Sequence, residues 1–195
     1  MISRSIPDGI SESSFQHFST HPLAISTLND DAFELRPMSR EITHDGHGHT
    51  LMAGTFNSEH TIPHLLSFFR PSSNSTPIGD EYTRAEVRRF YTFGGGLNAH
   101  PDLLHGGVIA CILDSTMGNV IGFSIPRKKM FTVQLNIKYE KPVKTPGTVR
   151  TRAWISKIQD DRKIWVNGIV EGDDITYAKA EGMWLSTKPK GNEKL

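Results

Sequence analysis

The sequence predicts an α+β fold in which a curved antiparallel sheet wraps around one long central helix. Three observations carry that prediction. The stretch "HPDLLHGGVIACILDSTMG", His100 to Gly118, opens the longest apolar helical run of the chain. After it the hydrophobic period changes to two, and turn residues cut the remaining chain into four strand-length runs. One buried helix followed by consecutive antiparallel strands makes an α+β layer.

The bounds are consistent with one such unit. A chain of 195 residues holds one core of ordinary size. Its 22 basic and 21 acidic residues leave a net charge of +1, which gives no reason to expect nucleic acid or an anionic membrane as partner. The single cysteine, Cys111, has no intrachain partner for a disulfide, so an intracellular setting is expected. "MISRSIPDGI" lacks the apolar core of a signal peptide, and no segment is expected to span a membrane. The expected location is cytoplasmic. A Ser-rich start is the feature that would suit a mitochondrial leader, and Asp8 and Glu12 oppose it.

Taken in order, residues 1–50 are polar and interrupted by proline and histidine, and read as loops with one short helix. The domain reading is a mostly irregular extension over 1–60, one α+β domain over 61–188 and a polar tail over 189–195. "TIPHLLSFFRP" reads as a strand or extended edge, "PSSNSTPIGD" as a surface loop, and "EYTRAEVRRFYTF" fits helix and strand equally. "GGGLNAHPD" is a turn-rich loop; without a following Lys-Ser/Thr its glycines read as a turn rather than a phosphate cradle. "HDGHGH", with His44, His47 and His49, has ligand-type side chains but no helix-and-acid context, so it reads as a solvated loop and no metal is expected.

The helix is expected from His105 or Gly106 to about Ile121. Val108, Ile109, Ile112, Leu113, Met117, Val120 and Ile121 cover more than one face, as in a helix enclosed by other structure. Asp114 sits inside this run on a stripe shared with Gly107, Ala110, Cys111 and Gly118. A buried aspartate without a partner costs several kcal/mol, so it is either solvated or used. "TVQLNIKYEKPV" then alternates Val133, Leu135, Ile137 and Tyr139 against Thr132, Gln134, Asn136 and Lys138. Pro146-Gly147, Asp160-Asp161 and Gly172-Asp173 punctuate the next runs, which predicts a meander of successive neighbours. In the last run Thr176, Ala178, Ala180 and Gly182 form a small face that would admit the helix.

"HGGVIACILDSTMG" followed by "FTVQLNIKYEKPV" resembles the hotdog-fold acyl-CoA thioesterases of the 4-hydroxybenzoyl-CoA thioesterase superfamily, in the phenylacetate-pathway-like branch, with a looser likeness to fungal relatives further upstream. The resemblance covers roughly Gly94 to Lys188. It implies the hotdog fold, a homodimer or dimer of dimers with sites between subunits, and hydrolysis of acyl-CoA or acyl-carrier-protein thioesters without a cofactor. Hydratases, dehydratases and non-catalytic acyl-thioester binders share the fold, and these alternatives stay open.

Thioester hydrolysis needs an attacking water or carboxylate and donors for the developing oxyanion. Gly106 and Gly107 at a helix start can offer backbone N–H groups, reinforced by the helix dipole. Asp114 would be general base or nucleophile. On the resemblance, Thr132 orients the water from the other subunit, His105 positions the loop or the thioester carbonyl, and Asn98 matches a polar residue ahead of His-Gly-Gly. Arg127, Lys128 and Lys129 are either a charged turn or a contact for coenzyme A phosphates. Many fungal relatives carry Glu directly after the aspartate; Ser115 stands there in this chain, so a second carboxylate is absent.

Overall fold

A computed structural model describes residues 6–38, 49–125 and 129–186. Its centre is helix α3, Gly106–Ser124, which follows α1 (Glu12–Ser19) and α2 (Pro22–Leu28). The strands are β1 (Glu34–Leu35), β2 (His64–Arg70), β3 (Glu86–Phe93), β4 (Asn98–His100), β5 (Leu103–Leu104), β6 (Met130–Tyr139), β7 (Gly147–Gln159), β8 (Lys163–Glu171) and β9 (Thr176–Ser186). Seven of them form one antiparallel sheet in the order β1-β2-β3-β7-β8-β9-β6, and β4 pairs with β5 apart from it.

α3 forms where the apolar run predicts it and continues to Ser124, three residues past the expected end. All seven of its predicted core residues are buried. By length and composition α3 would pass for a membrane span, contrary to the expectation that no segment comes close; in this fold it is the core helix, packed on β3, β6, β7, β8 and β9. Close approach needs a gap in the sheet, and Gly168 of β8 supplies it: a Cβ there would lie 2.7 Å from Met117 Sδ and 3.1 Å from Leu113 Cδ2. The small face of β9 works in part. Ala178 and Ala180 are buried, but the space over Gly182 is filled by the Trp184 ring folding back along its own strand, not by the helix.

The predicted meander holds for β7, β8 and β9. Asp160 and Asp161 both take positive φ, 52° and 50°, the backbone that a two-residue hairpin turn demands. It fails for β6, which pairs with β9 and not with β7. The reason is edge capacity: β7 already has β3 on one side, with Val87 opposite Ala153, and β8 on the other. Pro146-Gly147 therefore begins a crossover-fed strand rather than a hairpin.

The segment before the sheet is more ordered than its composition suggests. Within the described part of residues 1–50 there are two helices, not one, and β1. Phe15, Phe18, Leu23 and Leu28 of α1 and α2 pack with Phe33 on Leu66, Phe68 and Phe90, on the sheet face opposite α3. β2 and β3 are thus covered on both faces. That is why "EYTRAEVRRFYTF" shows no clean alternation although it is a strand. Glu86, fully buried on the outer face, meets Arg88 and Arg152 at 2.7 Å each and Arg70 at 3.2 Å. Burial pushes its pKa up, and the hydrogen bond and charge of Arg152 with the charge of Arg88 outweigh that, holding it below the usual carboxylate range.

α1 is pinned to the sheet by histidine stacking as well. The His17 ring lies 4.1 Å from that of His64, nearly parallel, and 5.9 Å from that of His21, while His17 Nε2 pairs with Thr92 Oγ1 at 2.9 Å. Burial first, then the His64 and His21 charges, lower the His17 pKa from 6.5. A histidine with a lowered folded pKa binds fewer protons folded than unfolded, so its contribution falls as pH drops through 6.5 and is restored above it. The midpoint of thermal unfolding should fall between pH 7.5 and pH 5.5, and His17→Gln should flatten that dependence. An unchanged pH slope in His17→Gln would remove the histidine stack as its source.

Candidate active site

The site begins with an irregularity in β6. Thr132 pairs with Trp184 but Gln134 pairs with Met183, so Val133 is an extra residue in the ladder. Strict alternation would turn Thr132 to the face of Gln134, Asn136 and Lys138, as expected from sequence. The bulge resets the alternation, and Thr132 shares the helix-facing side with Leu135 and Ile137. There its Oγ1 donates to Asp114 Oδ1 at 2.8 Å. Both residues belong to one chain, which corrects the expectation that Thr132 reaches Asp114 from another subunit.

Asp114 is half-buried, and among the described residues it forms no ion pair. It borders a cavity of about 640 Å³ together with Cys111, Gly118, Met130, Thr132 and Trp184. Burial raises the pKa of the Cys111 thiol, and the negative charge of Asp114 one helical turn away raises it further. His49, Leu51 and Met52 close the cavity from the N-terminal side, and Ser115 and Asn119 complete it along α3. Sequence reasoning missed most of these. Trp184 was legible only as a strand residue, Met130 lay ahead of the expected strand, and of the 49–52 stretch only His49 was noted, as part of a solvated loop.

The second group lies at the start of α3. His105 is the N-cap, and its Nδ1 accepts the Gly107 N–H at 2.8 Å. Tyr139 Oη donates to the Gly106 carbonyl at 3.0 Å. Asn98 Oδ1 accepts from Thr145 Oγ1 at 2.5 Å, which ties β4 to the chain entering β7. None of Asn98, His105, Gly106 or Gly107 borders the Asp114 cavity. Nine residues at 1.5 Å rise separate His105 from Asp114, about 13 Å along the axis. One chain therefore holds two half-sites: a carboxylate with its hydroxyl donor, and a helix N-terminus with its cap.

The remaining expectations sort simply. Lys129 is exposed, while Arg127, Lys128, His44, His47 and the tail 189–195 lie outside the described residues. Gly94 and Gly96 donate to the Thr61 and His60 carbonyls, and a Cβ on either would strike the His60 backbone. They make a close chain crossing, not a free turn.

Residues 102–176 match the family model of the thioesterase superfamily. The architecture is that of the hotdog thioesterases. A phenylacetic acid degradation-related protein from Ralstonia eutropha superposes with a TM-score of 0.53 at 16% identity, over 72% of this chain and 92% of that one. A thioesterase from Haemophilus influenzae gives 0.50 at 12% identity, over 65% and 82%. In sequence, mouse acyl-coenzyme A thioesterase THEM4 is 31% identical over 113 residues, 56% of this chain and 47% of its own. The chain spans about half the length of the THEM4 relatives it matches. Verlamelin biosynthesis protein B from a Lecanicillium species is 25% identical over 189 residues, 80% of this chain and 81% of its own, so its likeness extends upstream of the superfamily segment.

The Cys111–Asp114 coupling gives a direct probe of the site. Asp114→Asn removes the charge that holds the thiol up, so Cys111 should alkylate with iodoacetamide severalfold faster at pH 8 than in the wild type. An equal or slower rate, measured by mass spectrometry, would show that no ionised carboxylate stands beside it.

Proposed function

We propose that this protein hydrolyses acyl thioesters, with acyl-coenzyme A as the first substrate class and acyl-carrier-protein thioesters as a second. The observation that carries the reading is the Asp114–Thr132 pair at the edge of a cavity in a thioesterase-superfamily segment. Names of the relatives support acyl-coenzyme A as the substrate.

Thr132 occupies Oδ1 of the carboxylate and leaves Oδ2 for the reaction. As general base, Asp114 takes a proton from water as the water oxygen bonds to the acyl carbon; the C–S bond breaks and the thiolate leaves, to be protonated by solvent. As nucleophile, Oδ2 would attack the same carbon and water would cleave the resulting anhydride. The oxyanion needs N–H donors, and the Gly106–Gly107 helix start is the group suited to supply them. Since Gly107 N–H is donated to His105 Nδ1, the His105 ring must turn aside as the thioester oxygen takes its place.

The two half-sites meet in a homodimer. β6 is an edge strand, and it exposes Phe131, Val133 and Tyr139 at 61%, 55% and 51%. An apolar unpaired edge seeks a partner. Antiparallel pairing of two β6 strands about a two-fold axis sets the two α3 helices antiparallel as well. The N-terminus of one helix then faces Asp114 of the other.

Thiol release from a panel of acyl-coenzyme A esters tests the hydrolysis itself. Asp114→Asn should lower kcat at least about a hundredfold with folding intact; more than half the activity retained would take Asp114 out of the mechanism. The shared site is tested by mixing. Asp114→Asn co-expressed with His105→Ala should recover roughly a quarter of wild-type activity, since half of randomly paired dimers contain one intact site. Asp114→Asn with Thr132→Ala should recover none, because both residues serve the same chain's half-site. The reverse pattern in purified heterodimers would refute the assignment.

A further inference from the structure

The helix-facing row of β3 contains one residue that does not belong to an apolar core. Val87, Tyr91 and Phe93 are buried against α3, and between them lies Arg89, only 1% exposed and among the largest fully buried side chains. Its Nε donates to Ser67 Oγ at 3.2 Å and its Nη1 to Ser115 Oγ at 2.9 Å. Among the described residues no carboxylate pairs with it. The contrast is on the same strand: Arg88, facing outward, meets Glu86 at 2.7 Å. A guanidinium stays charged at any physiological pH and offers five donors. Enclosing one against neutral hydroxyls leaves a positive charge with a standing preference for an anion.

The position of Arg89 gives that preference a use. Ser115 directly follows Asp114, and both border the same cavity. Ser67, its other partner, borders a separate cavity of about 840 Å³ with Arg36, Met38 and Leu65. The guanidinium thus stands in the wall behind the acyl site. Ser115 Oγ accepts from Arg89 and keeps its own proton to donate into the Asp114 cavity. A carboxylate arriving there meets a hydroxyl polarised by the charge behind it, and a change of the Ser115 rotamer opens direct contact.

We propose that Arg89, acting with Ser115, selects acyl groups that end in a second carboxylate. The inference rests on the hydrolase reading for its chemistry, although the binding preference stands apart from turnover. Successive helix residues point about 100° apart on a cylinder about 10–12 Å wide. The reacting carbon at Asp114 and the anion at Ser115 are therefore less than one helix diameter apart, which a short dicarboxylyl chain bridges. Asp114 itself is turned toward Thr132 on β6, away from β3, so its charge is not aimed at the incoming anion.

Matched esters test this: succinyl- against butyryl-, glutaryl- against pentanoyl-, and adipoyl- against hexanoyl-coenzyme A. In at least one pair kcat/KM should favour the dicarboxylyl ester by at least about tenfold, since a buried donor set left unpaired discriminates strongly against the plain chain. Arg89→Met should abolish the preference. Ser115→Glu, which gives Arg89 an internal counter-charge, should abolish it too and raise the thermal midpoint, and it carries the test if Arg89→Met does not fold. Calorimetry with stable thioethers of coenzyme A, one bearing a carboxybutyl and one a pentyl group, separates binding from catalysis. Preferential binding of the carboxybutyl thioether without turnover of any ester would sink the hydrolase reading and keep the Arg89 inference. Equal binding of the two thioethers, or a preference that survives Ser115→Glu, would overturn the inference and leave hydrolysis standing.

Discussion

The structure is organised around the need to keep a nineteen-residue apolar helix away from water. A flat sheet can cover one stripe of a helix, whereas α3 carries apolar residues on more than one face. The sheet therefore bends, bringing β3, β7, β8, β9 and β6 against it in turn. Glycine at 168 and alanines at 178 and 180 let the backbones approach, and Met117 and Leu113 fill the space gained. Curvature, strand order and the position of the edge all follow from that one burial.

The site lies where the wrapping stops. β6 is the last strand, so the helix flank beside it is the place where a carboxylate can be half-buried and still reach a cavity. The β6 bulge at Val133 then decides what meets that carboxylate, by turning Thr132 inward. Thr116, on the sheet-facing side of α3, is satisfied internally: it donates to the Ile112 carbonyl and shares contacts with Tyr91 and Thr151. Asp114 differs because, among the described residues, its side-chain partner Thr132 holds a single oxygen.

The helix and the last three strands were legible because their hydrophobic periods are clean, and Asp114 stood out as a charge within an apolar run. Three things were not legible, each for a physical reason. β3 is buried on both faces, so its sequence shows no alternation to read. The pairing of β6 with β9 depends on which strand edges are already taken, a property of the whole sheet rather than of "KPVKTPG". The direction of Thr132 hinged on a bulge, and one extra residue inverts every inference drawn from a period of two. Arg89 was invisible for a related reason. In "VRRF" two adjacent arginines look alike, and only the pleat sends one to a buried glutamate outside and the other under the helix.

The N-terminal helices that cover the back of β2 and β3 bear on what counts as the unit of this protein. The superfamily segment, 102–176, contains neither those helices nor the two strands they cover. Yet β3 supplies one neighbour of β7 and a wall of the α3 core, and its other face is covered by a cluster that includes Phe15, Phe18, Leu23 and Leu28 of those helices. The segment that the family model matches is therefore smaller than the structure that packs as one unit. Changes in the upstream helices, far in sequence from any reacting group, act on the same cooperative structure that holds Asp114 in place.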